Sequence, residues 1–180
     1  LLPSTTLFRS NNITTWTDIT TVGEHPYDFL LKEVTGDRKV NIQVKMQRKE
    51  KQVVKTMPGG EWVVEVQKTR TGKDKKGVDT RPYSFGAFDI LAVSLQPATG
   101  SWDRFRYTLG KWLLARPEDK TLIRVMQPVP TDITGSEYWT DNLEECIAWF
   151  FAGEEKKIPE GVKAPKAPKA PKAPKAPKAP

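Results

Sequence analysis

The sequence predicts an α/β fold with a mixed central β-sheet flanked by helices, and three observations carry that expectation. Val40, Ile42, Val44 and Met46 alternate with Asn41, Gln43, Lys45 and Gln47, the period of two that marks a half-buried strand. Phe88 to Leu95 (FDILAVSL) is almost continuously apolar, as a central strand buried on both faces requires. Trp102, Phe105, Leu109, Trp112 and Leu113 instead recur at spacings near three and four, the pattern of an amphipathic helix.

Taken in chain order, Asn12 to Val22 reads as the remnant of a first helix or an irregular lead-in. Tyr27 to Val34 (YDFLLKEV) and Lys39 to Gln47 (KVNIQVKMQ) form a hairpin whose loop is Thr35-Gly36-Asp37-Arg38. Met57-Pro58-Gly59-Gly60 marks a turn, and Glu61 to Thr69 (EWVVEVQKT) reads as a third strand. Thr71 to Thr80 (TGKDKKGVDT) is polar, charged and glycine-bearing, which predicts a mobile loop. After the buried strand, Trp102 to Leu114 suits a helix despite Gly110, with a strand as the competing reading because Arg-Tyr-Thr is strand-like. Leu122 to Met126 (LIRVM) is a strand ended by Pro128 and Pro130. Asn142 to Ala152 closes the domain as a helix capped by Thr140 or Asp141, with acidic residues in its first turn.

The chain has 180 residues, enough for one domain with appendages. Its net charge of +7 has an uneven source, because the Lys-Ala-Pro repeat from Lys163 to Pro180 supplies six of those charges. The body is close to neutral, so the high isoelectric point does not mark a basic face. A proline at every third position predicts a disordered, extended arm over residues 159–180, about 55 Å long at ~3.1 Å per residue for the repeat itself. Thr5 to Ser10 resembles the translated end of a sequencing adapter, as found in assembled metagenomic reading frames, so residues 1–10 are expected to be non-native and the domain to span 11–158. The single cysteine, Cys146, excludes an intramolecular disulfide and reads as a buried structural thiol, while the lone His25 cannot build a histidine metal site. With no apolar run of about 18 residues and no secretory pattern, a cytoplasmic protein without a membrane span is expected.

The residues with most chemistry in them are Asp28, on the first hairpin strand, and Gln43-Val44-Lys45, on the second. Period two puts Gln43 and Lys45 on one face, and the hairpin brings that face to Asp28. Together with Pro26-Tyr27-Asp28, this resembles the PD-(D/E)XK nuclease superfamily, which includes many restriction endonucleases. The pattern departs from the signature twice: Tyr27 stands between proline and aspartate, and Gln43 takes the place of the usual acid. The order of elements is compatible with the αβββαβ core of that family, its first helix short or lost, over roughly residues 20–152.

The resemblance implies a metal-dependent DNA endonuclease, of the restriction or antiphage type, with Asp28, Gln43 and Lys45 catalytic. Mg²⁺, or Mn²⁺ in its place, would be held by Asp28, by the amide oxygen of Gln43 and by the backbone carbonyl of Val44. Lys45 would orient or deprotonate the attacking water. A second acidic ligand is expected, with Glu24 and Glu65 as candidates. Glu65-Val66-Gln67-Lys68 is a rival constellation that resembles the rarer Glu-x-Gln form of the motif.

Contacts with nucleic acid would come from Arg48, Lys49 and Lys51 after the hairpin, from Lys68 and Arg70, and from Lys73, Lys75, Lys76 and Arg81 around the loop. Tyr83 and Phe85 read as stacking groups or edge-of-core aromatics. Cleaving both strands with one site per chain would call for a homodimer. Two other classes stay open: a nucleic-acid-binding α/β module without catalysis, and a protein-interaction domain suited to the near-neutral body.

Overall fold

The computed structural model describes residues 14–68, Gly72 and residues 81–160. The expected N-terminal segment 1–10, most of the loop 71–80 and most of the Lys-Ala-Pro tail lie outside the described residues. Among the described residues nine strands form in chain order: β1 (Trp16–Asp18), β2 (Phe29–Glu33), β3 (Lys39–Met46), β4 (Lys49–Glu50), β5 (Val53–Val54), β6 (Trp62–Glu65), β7 (Ile90–Ser94), β8 (Phe105–Leu109) and β9 (Met126–Val129). Helices are few, namely the single turn α1 (Gln96–Thr99), a 3-10 turn at Gly110–Trp112, and α2 (Leu143–Phe151).

The central sheet has the order β1-β2-β3-β7-β8 and is mixed, as the sequence predicts. β3 lies in the middle, antiparallel to β2 (Phe29 opposite Ile42) and parallel to β7 (Ile42 opposite Ile90). Its alternation explains that place: Val40 and Ile42 are fully buried, and their neighbours across the ladders, Leu31 and Ile90, are equally buried. All five residues of β7 are buried, which matches its unbroken apolar run. Against β7 and β8 rests α2, burying Leu143, Cys146 and Ile147. Burial also pushes the Cys146 thiol well above its ordinary range, as expected of an inert core cysteine. A separate ribbon of β6 and β9 abuts the end of β3 through a bridge between Gln47 and Val64.

Several expectations are corrected. Trp102 to Leu114 is not a helix but strand β8 followed by the 3-10 turn, with β8 antiparallel to β7. Phe105-Arg106-Tyr107-Thr108-Leu109 alternates as the competing strand reading requires, and the helical spacing arises only by joining Trp102, Trp112 and Leu113 from outside the strand; both faces are covered, so Thr108 is as buried as Tyr107 and Leu109. Gly110 is needed directly after it, since a Cβ there would stand 2.5 Å from the Phe88 carbonyl oxygen. The strand placed at Leu122 to Met126 runs instead from Met126 through Pro128. Val63, opposite Pro128, sends its N–H to the Lys55 carbonyl and takes the Arg48 N–H on its own carbonyl, so the proline's missing N–H leaves no gap. The lead-in before Val22 contains an edge strand, β1. Helix α2 is capped by Asn142, whose side chain accepts from the Glu145 N–H at 3.2 Å, rather than by Thr140 or Asp141.

Candidate active site

Asp28 stands one residue before β2, where its N–H still donates to the Ile42 carbonyl at 2.9 Å. Beyond it the β2–β3 ladder stops, and the Asp28 carboxylate takes over as acceptor: its Oδ2 receives the Val44 N–H at 2.8 Å. The same oxygen receives Nε2 of Gln43. That nitrogen also donates to the Val44 carbonyl at 3.1 Å, so Asp28 Oδ2 and the Val44 oxygen both face one point that the Gln43 amide nitrogen fills. At the other end of the amide, Oε1 accepts from the Tyr83 hydroxyl at 3.1 Å. The hairpin therefore does bring Asp28, Gln43 and Val44 together. The amide presents its nitrogen to them, however, where an oxygen ligand was expected, and Gln43 is buried at 3% exposure.

Lys45 is next along the same side of β3. Its Nζ lies 5.5 Å from the centre of the Tyr83 ring. Burial lowers its pKa, and the negative charges of Asp28 and Glu65 oppose that shift without cancelling it. Tyr83 moves the other way, to about 12, through its own burial and then the charge of Asp28. Its phenol is thus a donor at neutral pH.

The rival constellation is differently occupied. Glu65 forms an ion pair with Arg48, accepts from Nε2 of Gln67, and has an Arg81 nitrogen at 3.9 Å. Glu24 is exposed in the segment before β2. Among the described residues no group of three or more His, Cys, Asp or Glu side chains could hold a metal. A hard cation prefers oxygen ligands and keeps several waters. Between Asp28 Oδ2 and the Val44 carbonyl two oxygens converge on the place that the Gln43 amide nitrogen occupies, with one carboxylate there among the described residues.

Of the expected basic residues, Lys68 stands beside Tyr83. Lys68 pairs with Arg81 through the backbone, N–H to carbonyl at 2.9 Å, and its Nζ stands 5.9 Å from the Tyr83 ring. The two ends of the 71–80 loop thereby meet beside the site, while Arg70, Lys73, Lys75 and Lys76 fall outside the described residues. Arg48 is engaged with Glu65; Lys49 and Lys51 are exposed on the β4–β5 hairpin, whose turn residues Lys51 and Gln52 have φ of 49° and 67°.

A bacterial homing endonuclease, I-Ssp6803I, is similar among solved structures. It is 20% identical, with 81% of this chain and 86% of that chain covered and a TM-score of 0.45. No family model matches this chain, and no curated protein matches it.

Tyr83 is the residue of the site that sequence reading missed. It reads there as a stacking or edge-of-core aromatic, and nothing near it in the chain signals a partner forty positions away.

Proposed function

We propose that the chain is a metal-dependent DNA endonuclease with Asp28, Gln43 and Lys45 at its active site. The observation that carries this reading is the convergence of Asp28 Oδ2, the Val44 carbonyl and the Gln43 amide beside the half-buried Lys45 amine. Asp28 and the Val44 carbonyl would hold Mg²⁺ or Mn²⁺, and Gln43 would add its amide oxygen. The bound ion would supply charge relief on the phosphate and lower the pKa of water. Lys45, its proton already loosened by burial, would take the proton of the attacking water as the new phosphorus–oxygen bond forms and the bond to the leaving sugar oxygen breaks. Lys68 and Arg81 would offset phosphate charge on the approaching strand. DNA is the substrate that the motif's resemblance implies.

The test is cleavage of supercoiled plasmid by the full chain with Mg²⁺ or Mn²⁺, against Lys45→Ala and an EDTA control. Metal-dependent nicking that the substitution removes supports the reading. Absence of cleavage with either ion counts against it. One observation favours a second reading, a nucleic-acid-binding module without catalysis: among the described residues Asp28 is the single carboxylate at the point, because Glu65 is engaged by Arg48 and Gln67. That module would bind DNA with steep salt dependence and cut nothing.

A further inference from the structure

The Gln43 amide is caught between two kinds of partner. One end faces acceptors, Asp28 Oδ2 and the Val44 carbonyl, and the other faces a hydroxyl, Tyr83 Oη. Without a cation the NH2 group must face the carboxylate, because an amide oxygen placed there would meet two other oxygens. With a cation between Asp28 and the Val44 carbonyl, the NH2 group is the wrong end, and the oxygen must take its place. A half-turn about the Cγ–Cδ bond exchanges the two. At 3% exposure Gln43 has little water to satisfy the displaced end, so a protein group has to do so in both states.

A tyrosine hydroxyl is suited to that task, being both donor and acceptor. In the orientation seen here Tyr83 donates to Oε1; after the half-turn it would accept from Nε2. We propose that Tyr83 is the positioning residue of the cation site, holding the Gln43 amide in whichever of two orientations the site requires and so allowing a neutral side chain to act as a ligand. The inference rests on the cation-binding reading of Asp28 and Gln43 given above. Independent geometry holds Tyr83 in place: its ring packs edge-on against Phe88 with centroids 5.4 Å apart, and Lys45 and Lys68 lie over it. Tyr83 as a residue is 5% exposed, so its position is set by the core and not by solvent.

The experiment is calorimetric titration of the full chain with Mn²⁺, for the parent and Tyr83→Phe, each also with Gln43→Glu. Phenylalanine keeps the ring contacts, and thermal unfolding checks that the variants fold. Because the hydroxyl serves the amide in both orientations, Tyr83→Phe is expected to lower the unfolding temperature both without and with saturating Mn²⁺ and to change Mn²⁺ affinity by less than about threefold. With Gln43→Glu present Mn²⁺ should bind more tightly and owe nothing to Tyr83, because either carboxylate oxygen can face the ion. A second readout needs no variant: on adding Mg²⁺, the side-chain NH2 resonances of Gln43 should shift as their acceptor changes from carboxylate to phenol. A parent chain that binds no Mn²⁺ overturns the cation reading and this inference with it. A stability loss in Tyr83→Phe that vanishes once Mn²⁺ is bound overturns the inference alone. Gln43 NH2 resonances that Mg²⁺ leaves in place, or Mn²⁺ affinity lost about tenfold or more in both backgrounds, also overturn it, since neither reports a turning amide.

Discussion

Two stretches of this molecule carry nearly the same letters. Gln43-Val44-Lys45 lies on β3, and Glu65-Val66-Gln67-Lys68 begins on β6 and continues beyond it. On residue type alone the second has the better claim to a metal, since it holds a carboxylate where the first holds an amide, although Asp28 lies too far back in the chain to join it through a hairpin. The structure separates them by surroundings. Glu65 is neutralised by Arg48 and capped by Gln67, whereas the Gln43 amide faces an acid, a carbonyl and a buried hydroxyl. A carboxylate already paired with a guanidinium has to give up that partner before it can hold a cation. An amide beside a carboxylate has only to turn. Electrostatic context, more than residue type, decides which strand is the candidate site.

The comparison breaks most visibly through activity. Asp28→Ala or Lys45→Ala is expected to reduce metal-dependent plasmid nicking by at least about a hundredfold; Asp28→Ala should also lower the unfolding temperature, since it leaves the Val44 N–H and the buried Gln43 amide without their acceptor. Glu65→Gln should change nicking by less than about threefold. Because Arg48 and Glu65 are each about one-third exposed, at 33% and 31%, it should cost under about 1 kcal/mol of stability in denaturant titration. A Glu65 variant as inactive as Asp28→Ala would restore the rival strand to the site.

A smaller effect sharpens the same contrast through pH. The folded pKa of Lys45 is depressed below 10.5, mainly by burial, so between that lowered value and 10.5 the unfolded chain binds more protons than the folded one. Stability from this group therefore rises with pH across that window and is lost as pH falls through the folded pKa. Lys45→Met should flatten the alkaline part of the stability profile relative to the parent. Nicking that depends on a neutral Lys45 should climb with pH up to the same lowered value.

The sheet was legible where periodicity was local. The alternation of Val40 to Met46 and the apolar run ending at Leu95 locate β3 and β7, and the acidic first turn at Glu144 and Glu145 locates α2. Strand β8 shows its alternation only as a competing reading, because the spacing of Trp102, Phe105, Leu109, Trp112 and Leu113 overlays a helical pattern on it, and β9 escaped because Pro128 sits where a proline loses no hydrogen bond. The hairpin argument that joins Asp28 to Gln43 and Lys45 is local in the same sense, and the geometry agrees with it. Burial of Gln43, the pairing of Glu65 with Arg48 and the hydroxyl of Tyr83 all depend on contacts made across the fold. No window of sequence around them contains that information.

The most direct measurement is Mn²⁺ binding to the full chain, followed by calorimetry for the parent, Asp28→Ala and Glu65→Gln. The parent and Glu65→Gln are expected to bind alike, and Asp28→Ala to lose the ion. Binding that survives Asp28→Ala, or disappears with Glu65→Gln, would contradict a cation site at Asp28.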